Sequence, residues 1–156
     1  MNATTPRTVA LLFALAACPM ADAAGPEMRA EGAVKYACGG VGADERAQMK
    51  PLAAQANLEL VFVTEKRGGY LAEVPFTLSG AKGAPILRAT ADGPICLIAL
   101  APGRYRVSAT IGKENRTVTV TAGATGEPHR VPIAFPGERW DGIWASEEEK
   151  QQAREP

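Results

Sequence analysis

The chain has 156 residues, and its 17 Lys plus Arg balance 17 Asp plus Glu, so the formal net charge is zero. This length suits one domain, and the scattered basic residues argue against a nucleic acid partner. A catalytic zinc site takes several protein ligands, usually histidines among them, and the sequence has a single histidine. We therefore expect a protein that is not an enzyme and that has no cofactor or metal site.

The N-terminal residues are typical of a secretory signal peptide. Arg7 precedes an apolar run at 9–17, and the sequence A-D-A at 21–23 is an A-x-A cleavage site. The apolar run is too short to span a membrane. We assign residues 1–23 to the signal and expect a periplasmic or secreted protein.

A second interpretation of this segment stays open. The sequence L-A-A-C at 15–18 resembles the lipobox of bacterial lipoproteins, in which the cysteine becomes the lipidated first residue. Cys18 would then anchor the chain to the outer membrane, and a membrane contact is expected only in that case. Pro19 and the downstream A-D-A site favour ordinary cleavage.

Residues 24–56 are predicted to form an extended lead-in and a short helix that packs outside the main fold. Asp44 suits a helix N-cap, and the helix is predicted over 44–54. Pro51 lies inside this segment, and it favours a kink or an end near Met49 because proline has no N–H to donate.

From residue 57 to residue 136 the pattern changes to short strands, in which β-branched and aromatic residues alternate with polar ones. The predicted strands lie at 58–64, 72–78, 85–90, 95–100, 104–111, 117–121 and 130–135. Seven short strands separated by turns predict an all-β fold, a seven-stranded antiparallel β-sandwich. Pro75 predicts an edge or bulged position for the second strand. The fourth strand is apolar on both faces, which predicts a central strand covered on both sides.

The turn before the fifth strand has Pro102 and Gly103 at its central positions. This pair is typical of a type II turn, in which the glycine has a positive φ, so a β-branched residue at Gly103 would be strained. Tyr105 follows on the apolar face of the strand. An exposed tyrosine here would contact sugar, but we predict that its ring packs in the core and its hydroxyl bonds to the backbone.

These residues also carry a resemblance. The pattern D-G-P, an apolar strand, L-A-P-G-R-Y-R-V-S-A and a Thr/Val strand is similar to the carboxypeptidase regulatory-like domain. The leucine, Pro-Gly and tyrosine of that family's signature fall here on Leu100, Pro102, Gly103 and Tyr105. The resemblance covers 58–135 and implies a transthyretin-like seven-stranded sandwich. The preceding C-G-G-V-G-A-D-E resembles small exported proteobacterial proteins built on this domain alone, which as a group lack an assigned activity.

Cys38 and Cys96 stay in the mature chain, and in an oxidising compartment such thiols tend to pair. We predict a disulfide between them. On this interpretation Ile95 and Leu97 face the sandwich core, while the face of Cys96 is covered by the lead-in segment that begins beside Cys38. The alternative is that Cys96 is a small core residue and that Cys38 is a free thiol in a glycine-rich bend.

The remaining candidate residues lie near the C-terminus. His129 has no partner at a recognisable spacing and is predicted to be an ordinary residue before the last strand. Trp140 and Trp144 lie in a polar tail, residues 137–156, which we predict to be flexible. Tryptophan is enriched at interfaces, so both are candidate interaction residues, although they would equally fold back on the sandwich.

We expect an exported, non-enzymatic module with a structural or interaction role in the bacterial cell envelope, where its partner would be an envelope protein or glycan. The alternative is a small binding protein for carbohydrate or another envelope ligand. Solvent-exposed aromatic side chains on one sheet face would favour this alternative.

Overall fold

The computed structural model describes residues 25–66 and 68–136, which form nine strands and one helix. The strands are β1 (Arg29–Glu31), β2 (Val34–Gly39), β3 (Leu58–Thr64), β4 (Val74–Ser79), β5 (Pro85–Ala91), β6 (Ile95–Ala99), β7 (Gly103–Ile111), β8 (Glu114–Ala122) and β9 (His129–Phe135), and the helix is α1 (Gly42–Ala53). Within these two described ranges, no helix has the length and apolar character needed to cross a membrane. The predictions for the signal, for Cys18 and for the tail at 137–156 lie outside the described residues.

The strands form two sheets, which makes the fold sandwich-like. One sheet has the order β1-β2-β6-β3-β9 and the other the order β5-β4-β7-β8. All neighbouring strands are antiparallel except β3 and β9, which run parallel from Leu58↔His129 to Thr64↔Phe135. The prediction of seven antiparallel strands is therefore wrong on two counts, because the described residues contain nine strands and one parallel pair. The chain crosses from the four-stranded sheet to the five-stranded sheet between β8 and β9, so these two strands do not form a hairpin.

The two strands beyond the predicted seven come from the segment predicted as an extended lead-in. β2 pairs with β6 from Lys35↔Ala99 to Gly39↔Ile95, and β1 pairs with β2. A central strand has N–H and C=O groups on both of its sides that need partners, and β2 supplies them to β6 opposite β3. The glycine-rich bend therefore begins after Gly39 and leaves Cys38 inside a strand.

The core lies between the two sheets and contains side chains from both. Val34 and Ile98 from the five-stranded sheet and Leu78 and Val107 from the four-stranded sheet belong to one buried cluster. The rings of Phe62 on β3 and Phe76 on β4 face each other across the core with centroids 5.9 Å apart. Alternating side chains on these strands thus bury one face of each sheet.

Helix α1 packs on the outer face of the five-stranded sheet, as predicted, through a second buried cluster of Met49, Ala56 and Leu97. The predicted N-cap is wrong, because Val41 occupies that position and Asp44 lies in the first turn. The helix has no side-chain cap bond, and the carboxylate of Glu45 instead accepts the N–H of the N-cap residue Val41 at 2.7 Å.

The helix also does not end near Met49, because Pro51 is followed by two more helical residues. The chain then leaves the helix through short turn bonds, in which Gln55 and Ala56 donate to the carbonyls of Leu52 and Ala53 at 2.9 and 3.1 Å.

Pro75 lies on β4, which is an interior strand between β5 and β7. The predicted edge position is therefore wrong. The ladder between β4 and β7 begins at Phe76↔Ala109, so Pro75 lies beyond its end and pairs only with Thr90 of β5. The proline is tolerated because no β7 residue needs its missing N–H. The other predicted alternative, a bulged strand, is found, although the register shift lies between Leu78 and Ser79 and not at Pro75.

Candidate functional site

The predicted disulfide between Cys38 and Cys96 is confirmed. The two residues lie directly opposite each other on β2 and β6, with their Cα atoms 4.1 Å apart. The orientation predicted for the strand is wrong, because Cys96 and Ile98 face the sandwich core while Leu97 lies under α1. The bond therefore joins two neighbouring strands on the inner face of one sheet, with Cys96 completely buried.

The predicted type II turn at Pro102 and Gly103 is wrong. Gly103 does not have a positive φ; it is the first residue of β7 and pairs with Ala122 of β8. Because the β7–β8 ladder extends back to this position, the backbone is already that of a strand. A Cβ on Gly103 would lie 3.7 Å from the nearest atom of the Tyr105 ring, an ordinary contact, so the expected strain does not arise.

The structural role predicted for Tyr105 is confirmed. Its hydroxyl donates to the Ala101 carbonyl at 2.7 Å, and its ring packs against the core cluster. The tyrosine therefore fixes the chain just before β7 begins, while Pro102 lies in the exposed connection between β6 and β7.

A buried asparagine that the sequence pattern did not indicate joins the start of β3 to two connections between strands. Asn57 is 1% exposed. Its Nδ2 donates to the carbonyls of Leu100 and Gly123, both at 2.8 Å, and its Oδ1 accepts the Leu100 N–H at 3.0 Å. The side chain thus satisfies backbone groups in the β6–β7 and β8–β9 connections at the start of β3. Its only signal in the sequence was a polar residue directly before an apolar strand.

The D-G-P turn between β5 and β6 contains a close approach of two backbones. Gly93 is buried, and a Cβ placed on it would overlap the carbonyl group of Gly39 and lie 2.7 Å from its Cα. Gly39 is the last residue of β2 and pairs with Ile95. Position 93 therefore needs a glycine, because the end of β2, which is distant in the sequence, leaves no room there for a side chain.

The outer face of the four-stranded sheet is a polar surface that the strands create. We define this outer face as the solvent-facing side chains of β4, β5, β7 and β8, which alternate with core residues along each strand. They are Pro75, Thr77, Ser79, Ile86, Arg88, Thr90, Arg104, Arg106, Ser108, Thr110, Asn115, Thr117, Thr119 and Thr121. Within the described part of the chain, α1 packs on the other sheet, and no helix packs on this one.

Hydroxyl and amide groups on the outer face form a hydrogen-bonded network across β7 and β8. Asn115 Nδ2 donates to Thr110 Oγ1 at 2.8 Å and to Ser108 Oγ at 3.1 Å. Thr117 Oγ1 contacts Ser108 Oγ at 3.3 Å and Asn115 Oδ1 at 3.2 Å. These exposed groups hold one another in place, so they present an ordered set of donors and acceptors to any ligand.

Three arginines lie on the outer face, and none of its side chains carries a negative charge. Arg88 projects from β5, and Arg104 and Arg106 project from β7. The one carboxylate residue in the four strands, Glu114, shares the inward-facing side of β8 with Val118 by strand alternation. Ion pairs observed in the ranges 25–66 and 68–136 include Arg29 with Asp92, Arg116 with Glu65 and Arg130 with Glu59, and none of these three pairs involves a side chain of the outer face.

The other predicted candidates are not brought into this surface. His129 is the exposed first residue of β9, and its backbone N–H donates to the Asn57 carbonyl at 3.1 Å. Trp140 and Trp144 lie outside the described residues. Among the residues that the structure describes, no cluster of three or more His, Cys, Asp or Glu side chains is placed to hold a metal ion.

The sequence matches no protein-family model and no curated protein.

Proposed function

We propose that the chain is an exported, non-enzymatic module with a structural or interaction role in the bacterial cell envelope, built on a transthyretin-like sandwich of the carboxypeptidase regulatory-like type. Two observations support the fold type. The strands β3 to β9 coincide with the seven segments of the resemblance and are divided between two sheets. The tyrosine of the signature, Tyr105, makes a specific bond to Ala101 just before β7.

The disulfide supports export. A buried bond between Cys38 and Cys96 suits a compartment in which thiols are oxidised, and this agrees with the signal-like segment at 1–23. Intact mass of the protein purified after expression in a bacterial host tests the proposal. We expect a mass that lacks residues 1–23 or 1–24. A mass that retains them would contradict export, and a diacylglyceryl adduct on Cys18 would assign the chain to lipoproteins.

The observation that carries the interaction role is the outer face itself. It combines an ordered hydroxyl and amide network around Ser108 with three arginines that have no acidic neighbour on the same face. A surface whose only role is to keep the protein soluble has no need to carry charges of one sign, whereas a surface that recognises a partner uses such an arrangement.

A capture experiment tests this role. The mature wild-type chain and a Thr119→Glu variant are used as baits in envelope extract. Thr119 is exposed at the middle of β8, so the substitution adds a negative charge to the outer face without touching the core. The matched control is Lys35→Glu, an exposed position on β2 of the other sheet. We expect the wild type and the control to capture the same envelope component and the Thr119→Glu variant to lose it. Equal capture by all three would contradict the proposal.

The alternative is a small binding protein for a carbohydrate or another envelope ligand. The sheet faces of the described residues do not carry the exposed aromatic side chains that would have favoured it, because the exposed Tyr70 lies in the β3–β4 connection. The hydroxyl network around Ser108 favours this alternative in another way, since it offers both donors and acceptors to sugar hydroxyls.

A further inference from the structure

We infer that the outer face binds an anionic polysaccharide, a linear polymer of sugars with carboxylate groups. This inference rests on the interaction role proposed above and names the chemical class of the partner. Its basis is the joint arrangement of three arginines, a hydroxyl network and two depressions on one exposed surface.

The sign of the ligand's charge follows from the arginines. Arg88, Arg104 and Arg106 are exposed, and no carboxylate side chain of the four strands shares their face. A guanidinium group matches a carboxylate through two parallel N–H···O bonds, which makes arginine a specific partner for this group. The chain as a whole has no net charge, so this attraction is local to the outer face.

The extent of the ligand follows from the strand register. Arg104 and Arg106 are two positions apart on β7, or about 7 Å. Arg88 opposes Thr77, which in turn opposes Ser108, so Arg88 lies two strands away from β7, or about 10 Å. The three cations are therefore spread diagonally across three strands. A small anion would reach one or two of them, whereas an extended polymer would reach all three.

Two depressions follow the same diagonal. The first has a volume of about 580 Å³ and is lined by Thr77, Arg88, Thr90, Ser108, Thr110 and Asn115, among others. The second has a volume of about 340 Å³ and is lined by Gly80, Ala81, Arg104, Tyr105, Arg106 and Thr119. Both volumes lie in the range of about 300–1,000 Å³ that is usual for ligand sites. Each depression combines arginine with hydroxyl groups, as two successive subsites for one repeating polymer would.

The chemistry of the face favours a sugar polymer over a protein partner. Protein interfaces depend on buried aromatic and large apolar anchors, and the one large apolar side chain of this face is Ile86, on the edge strand β5. A neutral sugar would be held weakly, because no outward-facing side chain of the outer face is aromatic; Phe76 and Tyr105 border the depressions, but their rings pack with the core. Charge-assisted bonds to carboxylates, supported by Ser108, Thr110 and Asn115 on the sugar hydroxyls, supply the affinity instead.

Calorimetric titration of the mature chain with polygalacturonate at low salt tests the inference. Dextran is the neutral control, and polyglutamate is the control for charge without sugar. The test variant is Arg104→Gln/Arg106→Gln. The matched control is Lys35→Gln/Arg130→Gln, which removes the same charge from exposed positions on β2 and β9 of the other sheet. Thermal unfolding of both variants verifies that each is folded.

We expect polygalacturonate to bind, dextran not to bind, and polyglutamate to bind at least several-fold more weakly. The outer-face variant should lose about tenfold in affinity for polygalacturonate and the control variant less than twofold. Arg88→Gln should lose a further several-fold, because it removes the guanidinium of the other depression.

Three results would overturn the inference: equal binding by the outer-face and control variants, equal binding of polyglutamate and polygalacturonate, or no binding of polygalacturonate. If the last result accompanies envelope capture that is still lost in Thr119→Glu, the interaction role stands and only the glycan class is wrong. If capture also fails, both proposals fall. Release of shorter sugars from polygalacturonate would contradict the non-enzymatic role by itself.

Discussion

The contact between Gly93 and Gly39 allows a sharp test of the fold. Gly93 lies in the turn between β5 and β6, and its hydrogen atoms face the backbone of Gly39 at the end of β2. In Gly93→Ala, the new methyl group would overlap the Gly39 carbonyl and lie 2.7 Å from its Cα. The neighbouring residue of Gly39 is Cys38, whose disulfide to Cys96 holds β2 against β6, so β2 cannot easily move away.

The magnitude follows from two opposing terms. Forcing an extra methyl group into a packed site costs about 1–3 kcal/mol, and sometimes more; the clash at Gly93 is with backbone, so the upper part of this range applies. Replacing glycine by alanine also restricts the unfolded chain, which stabilises the fold by about 0.4–1 kcal/mol. We therefore expect Gly93→Ala to lower the free energy of unfolding by about 2 kcal/mol, equivalent to about 5–15 °C in Tm for a domain of this size.

Urea denaturation of oxidised protein measures this change, and Gly80→Ala is its matched control. Gly80 lies in the turn between β4 and β5, its φ is not positive, and a Cβ there would meet no atom within 4 Å. The control should be unchanged or stabilised by up to about 1 kcal/mol. If the two variants have the same midpoint, the close approach of β2 to the D-G-P turn does not exist in solution.

Three further changes test other parts of the structure. Replacing both Cys38 and Cys96 by alanine opens a loop with a sequence separation of 58 and should cost about 4 kcal/mol in urea denaturation; an unchanged midpoint would mean that the bond does not form. Asn57→Ala should cost about 2–4 kcal/mol in the same assay, because it leaves buried backbone groups without partners, whereas alanine at the exposed Asn115 should change stability by less than about 0.5 kcal/mol. Tyr105→Phe removes one hydrogen bond and should cost about 1 kcal/mol; a larger loss would show that its hydroxyl has a second role.

The strands from β3 onward could be predicted because their side chains alternate locally. Residues 58–64 have the predicted bounds of β3, and the alternation of Tyr105, Val107, Ala109 and Ile111 identifies the inward face of β7. These patterns depend on neighbours in the sequence, so no knowledge of distant contacts is needed. The disulfide was also predictable, because the sequence predicts export, and Cys38 and Cys96 would tend to pair in an oxidising compartment.

The remaining features depend on contacts that are distant in the sequence. β2 contains a glycine and polar residues, and it is a strand because β6 needs a partner on its open side. Which face of β6 points inward is set by where α1 packs, and the apolar residues on both faces of the strand give no hint of it. Gly103 looks like a turn residue in a Pro-Gly pair, but the ladder with Ala122 makes it part of a strand.

The outer face shows the same limit of prediction from sequence. Its polarity was predictable, but the relative positions of its arginines were not. Alternation alone places Arg104 and Arg106 on the polar side of β7, but Arg88 joins them only through the β5–β4–β7 register. Elsewhere on the described surface, the exposed Arg29 has an acidic partner in Asp92 at 3.3 Å, and Arg130 has one in Glu59 across the parallel β3–β9 pair at 3.6 Å. A surface shaped by solubility alone mixes both signs of charge, and these two pairs follow that rule. The outer face departs from it in a chain whose formal net charge is zero, and the proposed partner of negative charge would account for the departure.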